Sequence, residues 1–218
     1  MKDGATYAIA HLGDLMQIDL ENSPLTVAQR QDWRLVGDIA GEAFANDPVN
    51  RFIFGNQKSI RSMFRVMALE LYGPSGLCHL HPSGGSTMWM PPGVDAAPSQ
   101  LGLLKFALGQ LRYGTPGAIK RGMAVADLMQ EWHPKDPHFY LFAIGTTQNA
   151  RGKGVGKGLL KPVLDACDSA GTPVYLENSN PDNSGFYAAH GFERLGVFNI
   201  AGEGSPVMEP MWREPRAL

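Results

Sequence analysis

Long apolar runs are missing from this 218-residue chain; none approaches the roughly 18 residues that a membrane-crossing helix needs. The first residues also lack the shape of a secretory signal, because Asp3 follows Lys2 and the apolar stretch Tyr7 to Ala10 is short. A soluble cytoplasmic protein with no membrane partner is the expectation. Excess charge of one sign is absent too: 19 Lys and Arg face 21 Asp and Glu, which gives no general electrostatic reason to expect nucleic acid as a partner. Cysteine is scarce. Cys78 and Cys167 lie far apart without CxxC spacing, so two reduced, packed thiols are expected rather than a disulfide framework. The histidines, His79, His81 and His190 among them, show no metal-ligand spacing, and no metal is expected. Internal repeats and low-complexity linkers are also lacking.

What is present is the composition of a folded chain, 44% hydrophobic and 18% charged, too apolar for disorder. Residues 1–24 have weak periodicity and read as an N-terminal extension with at most a short helix or strand. Leu25 to Val27 suit a first strand. Asp32 then caps a helix carrying Leu35, Val36, Ile39, Ala40, Ala43 and Phe44 at helical spacing, and Asp47-Pro48 ends it. A second helix runs from about Ser59 to Leu71 on the stripe Ile60, Met63, Phe64, Met67, Ala68 and Leu71, and Gly73-Pro74 stops it. Leu77 to His81 and Ser86 to Met90 read as a hairpin around Pro82-Ser83-Gly84-Gly85.

Residues 100–132 read as two helices. Leu101, Leu104, Leu108 and Leu111 mark the first, and the pattern predicts that they face the core. Thr115-Pro116 suggests a cap followed by proline at the first helical position of the second, which carries Ile119, Met123, Leu128, Met129 and Trp132.

The most informative segment begins near His138. Phe139 to Thr147 is a β-prone run that suits a central strand buried on both faces. It leads into Gln148-Asn149-Ala150-Arg151-Gly152-Lys153-Gly154-Val155-Gly156-Lys157-Gly158. A helical pattern follows in Leu159, Leu160, Val163, Leu164 and Cys167, and Val174 to Asn178 reads as the next strand. Glycines at 152, 154, 156 and 158 let the backbone approach a ligand closely. The unpaired N–H groups of a helix's first turn favour an anion there, and Arg151, Lys153 and Lys157 add positive charge. A pyrophosphate is the natural guest.

Other nucleotide-binding turns fit less well. A P-loop needs glycine where Arg151 stands and serine or threonine where Gly158 stands. A Rossmann fingerprint started at Gly152 needs glycine at Lys157, and one started at Gly154 needs it at Leu159. A plain flexible surface loop is disfavoured by the position between a buried strand and an amphipathic helix.

Arg151-x-x-Gly154-x-Gly156 resembles the coenzyme A-binding motif of the GNAT superfamily of N-acetyltransferases. The likeness continues in Glu177 after Tyr175-Leu176 and in Asn183-x-x-Phe186-Tyr187-x-x-x-Gly191-Phe192, and it is strong over residues 138–195. A weaker likeness takes in Phe44 to Pro48, Trp89 to Gly93 and Met211-Trp212-Arg213. The resemblance implies an α/β (α+β) fold of the GNAT type, a mixed central sheet with splayed central strands and flanking helices. It implies one domain over residues 25–218, with the acceptor side in the N-terminal half and the acetyl-CoA-binding core at 138–195. Two features depart from the pattern. Pro162 falls inside the helix after the turn, where a kink is expected, and the interval from Glu177 to Tyr187 is short.

The implied activity is direct transfer of acetyl from acetyl-CoA to a primary amine of a small molecule or peptide. The implied partners are those two substrates, in a monomer or homodimer. Backbone groups of Ile144, Gly145 and Thr146 would bind the pantetheine arm, and the turn Arg151, Gly152, Lys153, Gly154, Val155, Gly156 and Lys157 would hold the pyrophosphate. Asn183 would add a hydrogen bond to the arm. Tyr187 would give a proton to the leaving thiolate, since a phenol with a pKa of about 10 keeps its proton at neutral pH. Glu177 is either the general base or a strand carboxylate that only orients the site. His138, before the strand, is a second candidate base, though a histidine after Asp136-Pro137 reads more readily as structural. Asp47 and Trp89 fall in segments expected to line the acceptor side. A non-catalytic acyl-CoA sensor and a dinucleotide-dependent oxidoreductase are the alternatives from other classes.

Overall fold

The computed structural model describes residues 6–8, 17–94 and 96–216, with side chains from residue 17 onward. Strands β1 (Thr6–Ala8) and β2 (Gln17–Asp19) pair antiparallel. Ile18 and Leu20 continue into the core, so part of the expected extension is packed. Next come β3 (Thr26–Val27) and the helices α1 (Trp33–Ala43), α2 (Pro48–Phe54) and α3 (Gln57–Met67). A π-helical turn, Ala68–Tyr72, and the single turn α4 (Gly73–Ser75) lead into the hairpin β4 (Leu77–His81) and β5 (Gly85–Met90). Helices α5 (Gln100–Tyr113) and α6 (Ala118–Trp132) follow, then β6 (Phe139–Thr146), α7 (Val155–Ala170), β7 (Val174–Asn178) and α8 (Ser184–Ala189). Strands β8 (Glu193–Arg194), β9 (Phe198–Asn199) and β10 (Val207–Arg213) close the chain. Among the described residues no helix is long and apolar enough to cross a membrane.

The large sheet has the order β3-β4-β5-β6-β7-β10-β8, with β9 also on β10. Its neighbours are antiparallel except β6 and β7, which run parallel. One layer of core packs α7 against the sheet through Leu159, Leu160, Val163 and Cys167. The other packs α1 to α3 against the opposite face through Val36, Ile60 and Phe64. Full burial of such a side chain is worth about 1.5–3 kcal/mol.

The decisive feature is the parallel pair. The β6–β7 register holds only at Phe139↔Val174 and Tyr140↔Tyr175. On its outer edge β6 stays paired with β5 from Met90↔Tyr140 to Gly85↔Thr146, and β7 stays paired with β10 from Val174 to Asn178. Two firmly laddered half-sheets therefore meet at one end and part at the other, as a sheet with splayed central strands requires.

Several local expectations are corrected. Asp47-Pro48 does not simply end α1, which stops at Ala43; it starts α2, with Asp47 as the cap and Pro48 inside the first turn. Thr115-Pro116 does not open α6. The Thr115 carbonyl accepts from the Ala118 N–H at 3.0 Å, Gly117 takes φ 80°, and the helix begins at Ala118. Strand β6 is not buried on both faces: buried and half-buried residues alternate along it because one face borders a cavity. The α5 stripe is the largest miss. Leu101, Leu104 and Leu108 are more than half exposed and Leu111 is 75% exposed. The inward face of α5 uses small and polar residues instead. A Cβ on Gly109 would meet the Ser62 hydroxyl at 2.2 Å, Gln110 bonds Ser59, and Lys105 pairs with Glu70. Close backbone approach and buried polar bonds decided the helix's rotation over hydrophobic count. Helix α7 runs unbroken from Val155 to Ala170 through Pro162.

Candidate active site

The glycine-rich turn sits at the N-terminus of α7. Gly152 and Gly154 have φ of 72° and 75°, a region costly for any residue with a Cβ. Gly154 is the N-cap, and the first backbone bond of the helix runs from the Gly158 N–H to the Gly154 carbonyl. The amides of Val155, Gly156 and Lys157 are thereby left pointing off the helix end. Arg151, Lys153 and Lys157 are exposed around them. The turn is tied to α1, since the Glu42 carboxylate accepts from the Gln148 N–H at 2.9 Å and Arg151 donates to the Ala43 carbonyl. Bare amides, a helix dipole and three cations together favour an anion. The turn therefore fits a diphosphate.

The gap between β6 and β7 opens into a cavity of about 300 Å³. Leu141, Phe142, Ala143 and Ile144 form its β6 wall, and Leu176, Glu177, Asn178 and Ser179 its β7 wall. Asn183 and Tyr187 reach it from the segment after β7. Helices α5 and α6 border it through Leu103, Phe106, Met123 and Met129, which answers what residues 100–132 do on their inner side. Of the residues named from sequence, Ile144, Glu177, Asn183 and Tyr187 thus share one cavity. Gly145 and Thr146 lie on the adjoining end of β6, and a Cβ on Gly145 would press Ala43 of α1 at 2.7 Å.

Glu177 has an almost fully buried side chain. Tyr140 donates its hydroxyl proton to Glu177 Oε2 at 2.7 Å, and His133 Nδ1 stands 3.6 Å from Oε1. Oε1 has no hydrogen-bond partner in the described structure, an unusual state for a buried carboxylate oxygen. Burial first, and the Glu177 charge next, push the hydroxyls of Tyr140, Tyr175 and Tyr72 above the usual phenol value. All three stay protonated and available as donors. His138 is held at both ring nitrogens: Nδ1 lies 2.7 Å from the Asp136 carbonyl oxygen and Nε2 lies 3.1 Å from His133 Nε2. Two ring nitrogens at that distance share one proton, so at least one ring is neutral. Burial pushes the His138 value down.

Tyr187 is buried under the turn at Phe192, with ring centroids 6.0 Å apart. Burial, then the carboxylate of Asp47, raises its hydroxyl above the usual phenol value. Asp47 is held by α2's own cap: Oδ1 accepts from the Asn50 backbone and side chain at 2.8 Å, and Oδ2 accepts from the Ser179 hydroxyl at 2.6 Å. Both oxygens are engaged, so Asp47 braces the wall and does not face the cavity. Trp89 does not line it either. The indole is fully buried on the α7 side of the sheet against Phe139, 5.8 Å between centroids. Cys78 and Cys167 are free and buried, and burial pushes both thiols up to about 12. They are inert packing, as expected.

Tyr140, His133, Ser179 and the methionine and phenylalanine lining escaped sequence reasoning. Only the β6–β7 register puts Tyr140 beside Tyr175 and hence diagonal to Glu177.

Residues 120–192 match the model of the acetyltransferase (GNAT) family. The chain is 24% identical over 205 residues to an N-acetyltransferase of Schizosaccharomyces pombe that is itself uncharacterized, over 86% of this chain and 81% of that one. Its fold is similar to that of the histone acetyltransferase HPA2 and related acetyltransferase from Corynebacterium glutamicum, with TM-score 0.63, 22% identity and coverage of 89% and 97% of the two chains. Arylalkylamine N-acetyltransferase 2 from Aedes aegypti shares the fold with TM-score 0.58, 12% identity and coverage of 88% and 98%. Family match over residues 120–192, relative and fold agree with the splayed sheet and the glycine turn, and together they support an acyltransferase of the GNAT type.

Proposed function

We propose that the protein transfers acetyl from acetyl-CoA directly to the primary amine of a small molecule or peptide. Residues 25–218 act as one domain, with the N-terminal half forming the acceptor side. The observation that carries this reading is that β6 runs from the cavity wall at Ile144 into the α7 anion turn, and that the cavity's walls hold both a buried carboxylate and a buried phenol. The turn from Arg151 to Lys157 binds the diphosphate through bare amides and flanking cations. Ile144-Gly145-Thr146, laddered to β5 but not to β7, offers backbone groups on its β7 side to the pantetheine arm, with Asn183 on the facing wall.

Glu177 takes the proton that an ammonium must lose before its nitrogen can attack. Tyr140 fixes one carboxylate oxygen and leaves the other for the amine or an intervening water. The amine nitrogen then bonds to the acetyl carbonyl carbon as the carbon–sulfur bond breaks; Tyr187 supplies a proton to the departing thiolate and is restored by the second proton that the nitrogen sheds in becoming an amide. A buried, protonated phenol is suited to that step.

A thiol-release assay with acetyl-CoA and a panel of amines tests the proposal. Release that depends on amine, and falls in both Tyr187→Phe and Glu177→Gln while acetyl-CoA still binds, supports it. Binding without release for every amine points to an acyl-CoA sensor instead.

A further inference from the structure

The acceptor cavity is built with one charge. Among the described residues that line it, Glu177 is the only carboxylate, and there is no Lys, Arg or His. The polar lining is concentrated in a single stretch: Glu177, Asn178, Ser179, Asn183 and Tyr187 lie between the end of β7 and α8, joined by Asn50 across the Asp47 cap. Everything contributed by α3, α5 and α6 is apolar or glycine, including Met63, Phe64, Phe106, Met123 and Met129. The cavity thus has a reacting end and a hydrocarbon end.

Resting on the acetyl-transfer reading above, we infer that the acceptor is a primary monoamine with an uncharged apolar body, an alkyl chain or an aryl ring. Its nitrogen lies at Glu177 and its body among the helices. A single ammonium finds a counter-charge at Glu177. A second one, carried down a diamine or polyamine, would lose water among methionines and phenylalanines with nothing to pair it. The same lack of donors and acceptors disfavours polyhydroxylated amines, whose hydroxyls would go unbonded. Unbranched methionine side chains adapt to different shapes, so the site accepts a range of apolar bodies and discriminates chiefly by charge.

A matched pair isolates the claim. Hexylamine and 1,6-diaminohexane have the same chain and differ by one terminal ammonium. Thiol release should give hexylamine a kcat/KM at least about tenfold higher, equivalent to about 1.4 kcal/mol, with 2-phenylethylamine also favoured over spermidine and lysine amide. Met123→Glu places a second carboxylate on an exposed wall position of α6, where folding is not at stake, and should narrow the hexylamine preference. Equal or better use of the diamine or of spermidine by the wild-type protein overturns this inference and leaves acetyl transfer standing. No release with any amine, polycations included, while acetyl-CoA binds, removes the acetyl-transfer reading and this inference with it.

Discussion

The Tyr140 hydroxyl lies 2.7 Å from Glu177 Oε2 and donates to it across the one place where β6 and β7 still run side by side. The last rung before the splay therefore carries the group that aims the carboxylate into the gap. Removing a hydrogen bond to a charged group costs about 1.5–3 kcal/mol. Tyr140→Phe should lower kcat/KM roughly tenfold or more with acetyl-CoA affinity unchanged. Glu177→Gln should lower kcat by about 10²–10⁴, the usual worth of a general base. Steady-state kinetics beside calorimetric binding check both. Unaltered turnover in Glu177→Gln would assign the carboxylate to orientation alone.

Tyr187 should separate chemistry from stability. Its raised value keeps the phenol protonated across the neutral range, so the wild-type rate should show no decline from its ionisation there. Tyr187→Phe should reduce kcat by about 10²–10⁴. Its thermal midpoint should move little, because the ring still packs on Phe192. A rate kept within a few fold by the phenylalanine variant would dismiss the acid role.

Strand β4 holds a second buried titratable group. His79 is fully buried, Nε2 has no partner among the described residues, and burial lowers its value from about 6.5 to about 4. As pH falls below about 6.5 the unfolded chain takes up a proton that the folded chain refuses until about 4. Stability contributed by the neutral ring is therefore full above that window, declines through it and is gone below it. The loss is on the order of 3 kcal/mol. Urea unfolding of the wild type and of His79→Leu at pH 7.5 and 4.5 should show a smaller acid loss in the variant; equal losses would exclude His79 as the cause.

Arg213 and Asp168 tie the end of β10 to the end of α7. Two bonds of 2.7 Å join them, both side chains are nearly fully buried, and Arg213 Nε also holds the His190 carbonyl at 2.9 Å. Arg213→Ala would leave Asp168 buried without its partner. A destabilisation of about 3–5 kcal/mol is expected, read as a lower denaturation midpoint at unchanged slope. A shift below about 1 kcal/mol would show that water replaces the guanidinium freely.

Much of the C-terminal half was legible because its signals are local. The strand, glycine turn and helix from Phe139 to Ala170 follow from periodicity and from glycines at two positions with positive φ. The helix N-terminus then follows from geometry. Before β6 the helix α3 and the hairpin of β4 and β5 were legible too, but rotations and contacts were not, for a physical reason in each case. Leucines 101, 104, 108 and 111 satisfy a helical stripe, yet Gly109 and Gln110 fit against α3 more closely and turn the stripe outward. Asp47-Pro48 reads equally as a helix stop and a helix start, and only the Asn50 and Ser179 bonds settle which. Trp89 sits on the expected strand, but strand alternation sends it to the α7 face. Tyr140 and Glu177 are 37 residues apart and meet only through register.

The most direct measurement is a calorimetric titration with acetyl-CoA of the wild-type protein and of Gly154→Ala. At φ 75° an alanine is strained by roughly 1–2 kcal/mol, and no neighbour lies within 4 Å to confuse strain with a clash. Saturable one-to-one binding by the wild type, weakened about tenfold in the variant, is the result expected if the α7 turn holds the diphosphate. No heat from the wild type at millimolar acetyl-CoA, or equal affinity in both proteins, would contradict it.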